Sequence, residues 1–147
     1  MKVYLDACCL NRPFDDQLQP RIHFETEAIL LILIKLNERE WDWIASEILL
    51  HEIGRNPDAE RKQLIQSLVS QSHFVVELND RILARAEILE QKGFDAYDAI
   101  HLASAEEAQA DIFITTDDRI VKLASRNKKL LSVQVENPAR WLEEVLK

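Results

Sequence analysis

Residues 93–118, GFDAYDAIHLASAEEAQADIFITTDD, decide the fold. Gly93 can end one helix and Asp95 can open the next, because a short acceptor side chain ahead of a periodic run satisfies the free amides of a first helical turn. Ala99, Ile100, Leu102, Ala103 and Ala105 follow with almost no polar face. Such a helix is mostly covered, and its small side chains allow close approach to a sheet. Asp111 to Thr115 carries Ile112, Phe113 and Ile114 without alternation, the pattern of a strand covered on both faces, as in parallel sheets. Asp117 comes directly after it, at the carboxyl end where open α/β sheets place their ligands. The stretch therefore holds two acidic pairs, Asp95/Asp98 and Asp117/Asp118, around one helix and one buried strand.

Working outward, the same strand-then-acid arrangement stands at the N-terminus, where Lys2 to Leu5 is an apolar run that stops at Asp6. Two strand-end aspartates at one sheet edge would repel each other unless a cation joined them. From Arg21 to Leu36, Ile22, Ala28, Ile29, Ile32, Leu33 and Leu36 recur at helical spacing, with an Arg21–Glu25 pair at i,i+4. Trp41 to Ala45 predicts the second strand, and Ser46 caps a short helix to about Ile53. Glu52 falls inside that helix's apolar stripe of Ile48, Leu49 and Ile53, so its charge needs a cation or a metal as partner. Glu47 and His51 lie on the wetter side.

Asn56-Pro57 breaks the helix and Asp58 to Ser70 forms another, with Leu64, Ile65 and Leu68 inward. His73 to Leu78 predicts a strand, and a helix capped by Asn79 or Asp80 runs through Lys92 with Ile82, Leu83, Ala86 and Leu89 apolar. Beyond the opening stretch, Asp117 or Thr116 caps a helix to about Asn127, Leu130 to Val135 predicts the last strand, and Pro138 starts a terminal helix carrying Trp141, Leu142 and Val145. Strand and helix alternate throughout. The predicted architecture is a three-layer α/β/α sandwich with a central parallel sheet of about five strands.

An apolar content of 47% over 147 residues suits one domain spanning 1–147. Two glycines and four prolines exclude flexible linkers and turn-rich all-β folds. The longest apolar run, Ala28 to Ile34, is too short to span a bilayer, and the N-terminus lacks the pattern of a signal peptide, so a cytoplasmic protein is expected. Adjacent Cys8 and Cys9 suit neither a disulfide nor a thiolate site. The formal charge of −8 argues against a nucleic-acid partner, an objection that weakens if metal ions neutralise part of the acidity.

Helix capping competes with site chemistry for several of these acids. Asp95 and Asp98 have nearly capping-box spacing, and Asp117 is a natural N-cap. Asp98 stands out because the buried run after it places it near the interior. Arg119, Lys122, Arg126 and Lys129 form a basic stripe starting beside the acids, either a solvated face or a phosphate track.

Four segments, LDACCLNRPFDD (5–16), SEILLHEI (46–53), DAIHLASA (98–105) and FITTDDR (113–119), resemble in that order the acidic motifs of PIN-domain nucleases, including VapC-type toxins. The likeness covers nearly the whole chain. It implies an acidic cluster of Asp6, Glu52, Asp98 and Asp117 and a Mg²⁺- or Mn²⁺-dependent endoribonuclease, with RNA as substrate, a cognate antitoxin as partner and a homodimeric state. Within it Asp6, Asp98 and Asp117 would ligate the metal, Glu52 would act through water, Asp95 and Asp118 would support, and Arg119, Lys122 and Arg126 would meet RNA. His101 is expected to pack or to support the cluster. Many relatives carry a hydroxyl residue within two positions after the first aspartate, where this chain has Ala7 and Cys8. The NRPFDD segment is expected to be a loop and a candidate lid.

Hard oxygen ligands suit Mg²⁺ or Mn²⁺, ions that activate water and neutralise a scissile phosphate without a histidine or lysine base. Two other readings compete. A catalytically silent PIN-like module would bind RNA or protein without cleavage, although acids stand at all four motif positions. A phosphotransfer fold is disfavoured because Cys8 stands where a dehalogenase-like phosphatase needs a second aspartate.

Overall fold

The computed structural model describes residues 1–147. Five strands, β1 (Lys2–Leu5), β2 (Asp42–Ser46), β3 (Phe74–Val76), β4 (Ile112–Ile114) and β5 (Gln134–Glu136), form one sheet in the order β3-β2-β1-β4-β5. Every neighbouring pair is parallel. The chain steps outward from β1 to β3 on one side and from β4 to β5 on the other, so the strand order reverses between β1 and β4. A crevice opens at the carboxyl ends of strands where the order reverses. Leu5 pairs with Ile114, and Asp6 N–H still donates to Ile114 O at 3.0 Å. The residues after both strands are thereby brought side by side.

Eight helices cover the sheet: α1 (Ala7–Asn11), α2 (Pro20–Asn37), α3 (Glu47–Gly54), α4 (Ala59–Val69), α5 (Asp80–Gln91), α6 (Ala96–Glu107), α7 (Asp118–Arg126) and α8 (Pro138–Val145). Alternation along the strands makes two separate cores. Val3, Leu5, Trp43, Ala45, Ile112 and Ile114 face one core, shared with α1, α2, α3, α4 and α8. Tyr4, Ile44 and Phe113 face the other, shared with α5, α6 and α7. The predicted three-layer sandwich is the observed one. Gly93 ends the turn after α5 with φ of 108°, a backbone region that side chains disfavour. Cys8 and Cys9 are free thiols, and no helix is long and apolar enough to cross a membrane.

The differences from the sequence reading have local causes. The NRPFDD segment is no open loop: α1 is followed by a 3₁₀ turn, Arg12–Phe14. Arg61 donates to Asp15 Oδ1 at 3.1 Å and to Phe14 O at 2.6 Å, while Arg12 reaches Glu25 and Asp15. A segment read as a loop and a candidate lid is thus held through Arg12, Phe14 and Asp15. On α4 the inward stripe is Ile65 and Val69, and Leu64 is 49% exposed. Leu83 of α5 and Val145 of α8 likewise face out. The last strand begins only at Gln134, because a turn after α7 occupies residues 127–130 and register against β4 starts at Ile112. Lys129 lies in that turn, outside the helix that carries the rest of the basic stripe.

Candidate metal centre

Two acids reach the crevice from the strand ends. Asp6 is buried at the N-cap of α1, its Oδ1 accepting from Ala7 N–H at 2.8 Å and its Oδ2 from the Thr115 hydroxyl at 2.9 Å. The same Thr115 oxygen accepts from Asp117 N–H at 3.1 Å. One buried hydroxyl thus ties the two strand-end aspartates together. Asp117 is the N-cap of α7, and its Oδ1 accepts from Arg119 N–H at 2.9 Å. Capping therefore accounts for one carboxylate oxygen of Asp117 and leaves the other uncommitted.

Two further acids arrive on helices. Ser46 caps α3 by accepting from Leu49 N–H at 3.1 Å, and the helix so started brings the half-buried Glu52 to the site, 3.6 Å from His101 Nε2. His101 is fully buried on α6. Its Nδ1 lies 2.6 Å from Tyr4 Oη, which lies 2.6 Å from Ser46 Oγ. Asp6, Glu52 and His101 each offer an atom of ligand type within 4.8 Å of the others. Asp98 stands in the first turn of α6, half-buried.

Electrostatics joins Asp98 to the cluster. Its pKa is pushed up from 3.8 to about 7, first by burial and then by the charges of Asp6, Asp117 and Asp95. Burial also raises Asp6, with Glu52 adding to the rise while His101 and the Thr115 hydrogen bond oppose it. Burial alone would lower His101, but Glu52, Asp6 and Asp98 outweigh it and raise the imidazole above its ordinary value. Carboxylates that raise one another in this way, Asp6 with Glu52 and Asp98 with Asp6 and Asp117, repel without a counter-charge. Their oxygens, partly committed to backbone and hydroxyl donors that orient them, fit a hard divalent cation.

Other expected members sit differently. Asp95 occupies the N-cap position of α6 without a capping hydrogen bond. Its carboxylate instead takes Arg119 Nη2 at 2.7 Å, so it acts on Asp98 only through its charge. Asp118 is engaged elsewhere, held by Arg21 through two 2.7 Å bonds that keep its carboxyl below the usual range. Of the basic stripe, Arg119 is thus engaged, while Lys122 and Arg126 are exposed and make no salt bridge. Lys122 lines a cleft of about 640 Å³ with Arg21 and Arg140. Glu25 is buried outside the cluster, and Arg21 is only one of its partners: Arg12 Nε and Asn137 Nδ2 also donate to it, at 2.9 and 2.6 Å.

A family model described as PIN domain matches residues 3–126, which include all four acids. The chain belongs to the PIN domain family. Among solved structures this PIN domain is similar to VapBC2 from Rickettsia felis bound to a DNA fragment from their promoter. The TM-score there is 0.62 at 15% identity, covering 93% of this chain and 98% of that one. It is also similar to VapBC-1 from nontypeable Haemophilus influenzae, with a TM-score of 0.58 at 15% identity, covering 94% of this chain and 98% of that one. At that identity the likeness is one of fold. No curated protein matches the chain by sequence.

A hydroxyl does contact Asp6 in this PIN domain, and it comes from another strand. Thr115 makes that contact from the end of β4, and the TT of FITTDD was its only mark in the sequence. Cys8, two residues after Asp6, packs its sulfur 3.3 Å from Thr115 Oγ1 and 3.5 Å from Asp6 Oδ2. Tyr4 and Ser46, which position His101, gave no signal beyond a strand tyrosine and a helix cap.

Proposed function

We propose that this PIN domain is a divalent-metal-dependent endoribonuclease and the toxin of a toxin–antitoxin pair. The observation that carries the chemistry is the buried Thr115 hydroxyl that links Asp6 to Asp117, with Glu52 and His101 at ligand spacing from Asp6; a cation held there would also relieve the charge that raises Asp98. Family membership supports the nuclease reading, and the structural likeness to VapBC proteins supports an antitoxin partner.

Asp6, Asp117 and Asp98 would hold Mg²⁺ or Mn²⁺ directly, and Glu52 would act through water. The bound ion would neutralise the carboxylates and the scissile phosphate and acidify a water molecule. The protein's own part is positional. Thr115 fixes the spacing of Asp6 and Asp117, the cap at Ser46 sets the helix that presents Glu52, and α6 presents Asp98. Asp98 would give up its proton when the cation arrives. Lys122, Arg126 and Arg140 would take RNA phosphates, with Arg119 joining only by leaving Asp95.

Incubating purified protein with labelled single-stranded and structured RNAs tests the reading. Cleavage should require Mn²⁺ or Mg²⁺, stop with chelator, and fall at least about a hundredfold in Asp6→Asn and in Asp98→Asn. Full activity in both variants, with contaminating nuclease excluded, would end the proposal. Cation binding without cleavage of any RNA would leave a silent binding module.

A further inference from the structure

Within the proposed metal centre, on which this inference rests, we infer that His101 is a positioning residue for Glu52 and not a metal ligand, although it lies at ligand spacing from Asp6 and Glu52. Hydrogen accounting along a buried chain decides between these roles. Ser46 Oγ has two partners, the Leu49 N–H that it accepts and Tyr4 Oη at 2.6 Å. Tyr4 Oη has two, Ser46 and His101 Nδ1 at 2.6 Å. All three side chains are fully buried, so water cannot supply a missing partner, and buried polar groups are almost always paired.

Two directions can be written through this chain. If the His101 Nδ1–H donates to Tyr4 and Tyr4 donates to Ser46, then Ser46 accepts twice and its own proton has no acceptor. If Ser46 donates to Tyr4 and Tyr4 donates to Nδ1, every hydroxyl proton is used and Nδ1 is an acceptor. The second direction places the ring hydrogen on Nε2. Nε2 therefore has no lone pair to offer a cation.

The hydrogen on Nε2 has one evident use. Nε2 has no hydrogen-bond partner and faces Glu52 Oε2 at 3.6 Å, just beyond bonding distance. A small rotation of Glu52 closes the bond, holds Oε2 and leaves Oε1 for the site. The donor set around the cation stays all oxygen, as hard ions prefer. The chain also joins the elements bearing three of the acids. Tyr4 precedes Asp6 on β1, Ser46 caps the helix of Glu52, and His101 lies one turn beyond Asp98 on α6.

Long-range ¹H–¹⁵N spectra of metal-free protein with ¹⁵N-labelled histidine test this directly, the His101 signals being assigned by their loss in His101→Gln. Wild type should show hydrogen on Nε2 and an unprotonated, hydrogen-bonded Nδ1, and Tyr4→Phe should shift the Nδ1 signal. After Mn²⁺ loading, electron-spin-echo spectra should show no directly bound histidine nitrogen. His101→Gln, whose amide N–H falls near the Nε2 position, should bind Mn²⁺ within about threefold of wild type, and His101→Ala more than about tenfold more weakly. A hydrogen on Nδ1, or a nitrogen coupled to bound Mn²⁺, would overturn the inference. Both spectra use the wild-type chain, so neither depends on a variant folding. Failure to cleave RNA would count against the proposed function alone, because the tautomer is read without activity.

Discussion

Asp98→Asn should make the metal-free protein more stable while removing its ability to gain stability from metal. The carboxyl sits at about 7 in the fold against an ordinary 3.8, raised by burial and by Asp6, Asp117 and Asp95. Between those values the folded protein holds a proton on Asp98 that the unfolded chain has released, so the slope of unfolding free energy against pH is negative. The destabilisation is absent below 3.8 and complete above about 7. At ~1.4 kcal/mol per pH unit a dry site would lose about 4 kcal/mol. Asp98 keeps partial contact with solvent, and screening reduces this to about 1–2 kcal/mol. Asparagine has nearly the same shape and no charge to lose. Urea unfolding in chelator should therefore give a midpoint for Asp98→Asn roughly 0.5–1 M above wild type near pH 8, converging as pH falls toward 4. Adding Mn²⁺ at roughly a hundred times its Kd should stabilise wild type by about 2.7 kcal/mol and the variant hardly at all. A variant no more stable than wild type near pH 8, or a gain that does not change with pH, would refute the argument that carboxylate crowding defines this site.

Thr115→Val should weaken Mn²⁺ binding about tenfold by removing the hydroxyl between Asp6 and Asp117, and Thr115→Ser should restore it; calorimetry reads both, and equal affinities would show that the hydroxyl is idle. Glu25→Ala should destabilise the protein by about 3 kcal/mol in urea, because Arg12, Arg21 and Asn137 all lose a buried carboxylate, and a loss under about 0.5 kcal/mol would show that the network is replaceable. Lys122→Ala should lower RNA affinity across sequences and reduce the salt dependence by about one phosphate contact. Arg119→Ala should do less, since Arg119 is already paired with Asp95, and the opposite ranking would put the RNA on the Asp95 side.

The layer architecture was legible because burial on both faces leaves a local mark. Val3 to Leu5 and Ile112 to Ile114 are continuous apolar runs, and each is followed by the acid that a parallel sheet presents at its carboxyl edge. Loop geometry was less legible. Asn11 to Asp16 reads as a loop by composition, and contacts from distant residues, Arg61 on α4 and Glu25 on α2 among them, hold it against the body of the protein.

From sequence alone came the five-strand parallel sandwich and, through the family resemblance, the expectation of a site built on Asp6, Glu52, Asp98 and Asp117. Partnership was decided by the tertiary structure. Asp95 and Asp118 look alike in the sequence, each beside a site acid, yet salt bridges to Arg119 and Arg21 engage their carboxylates. Thr115 and His101 gained their roles from β1, where Asp6 and Tyr4 meet them across more than ninety residues of chain. A side chain's type is written locally, but its hydrogen-bond partner depends on which strands lie side by side, and that is settled only when the sheet closes.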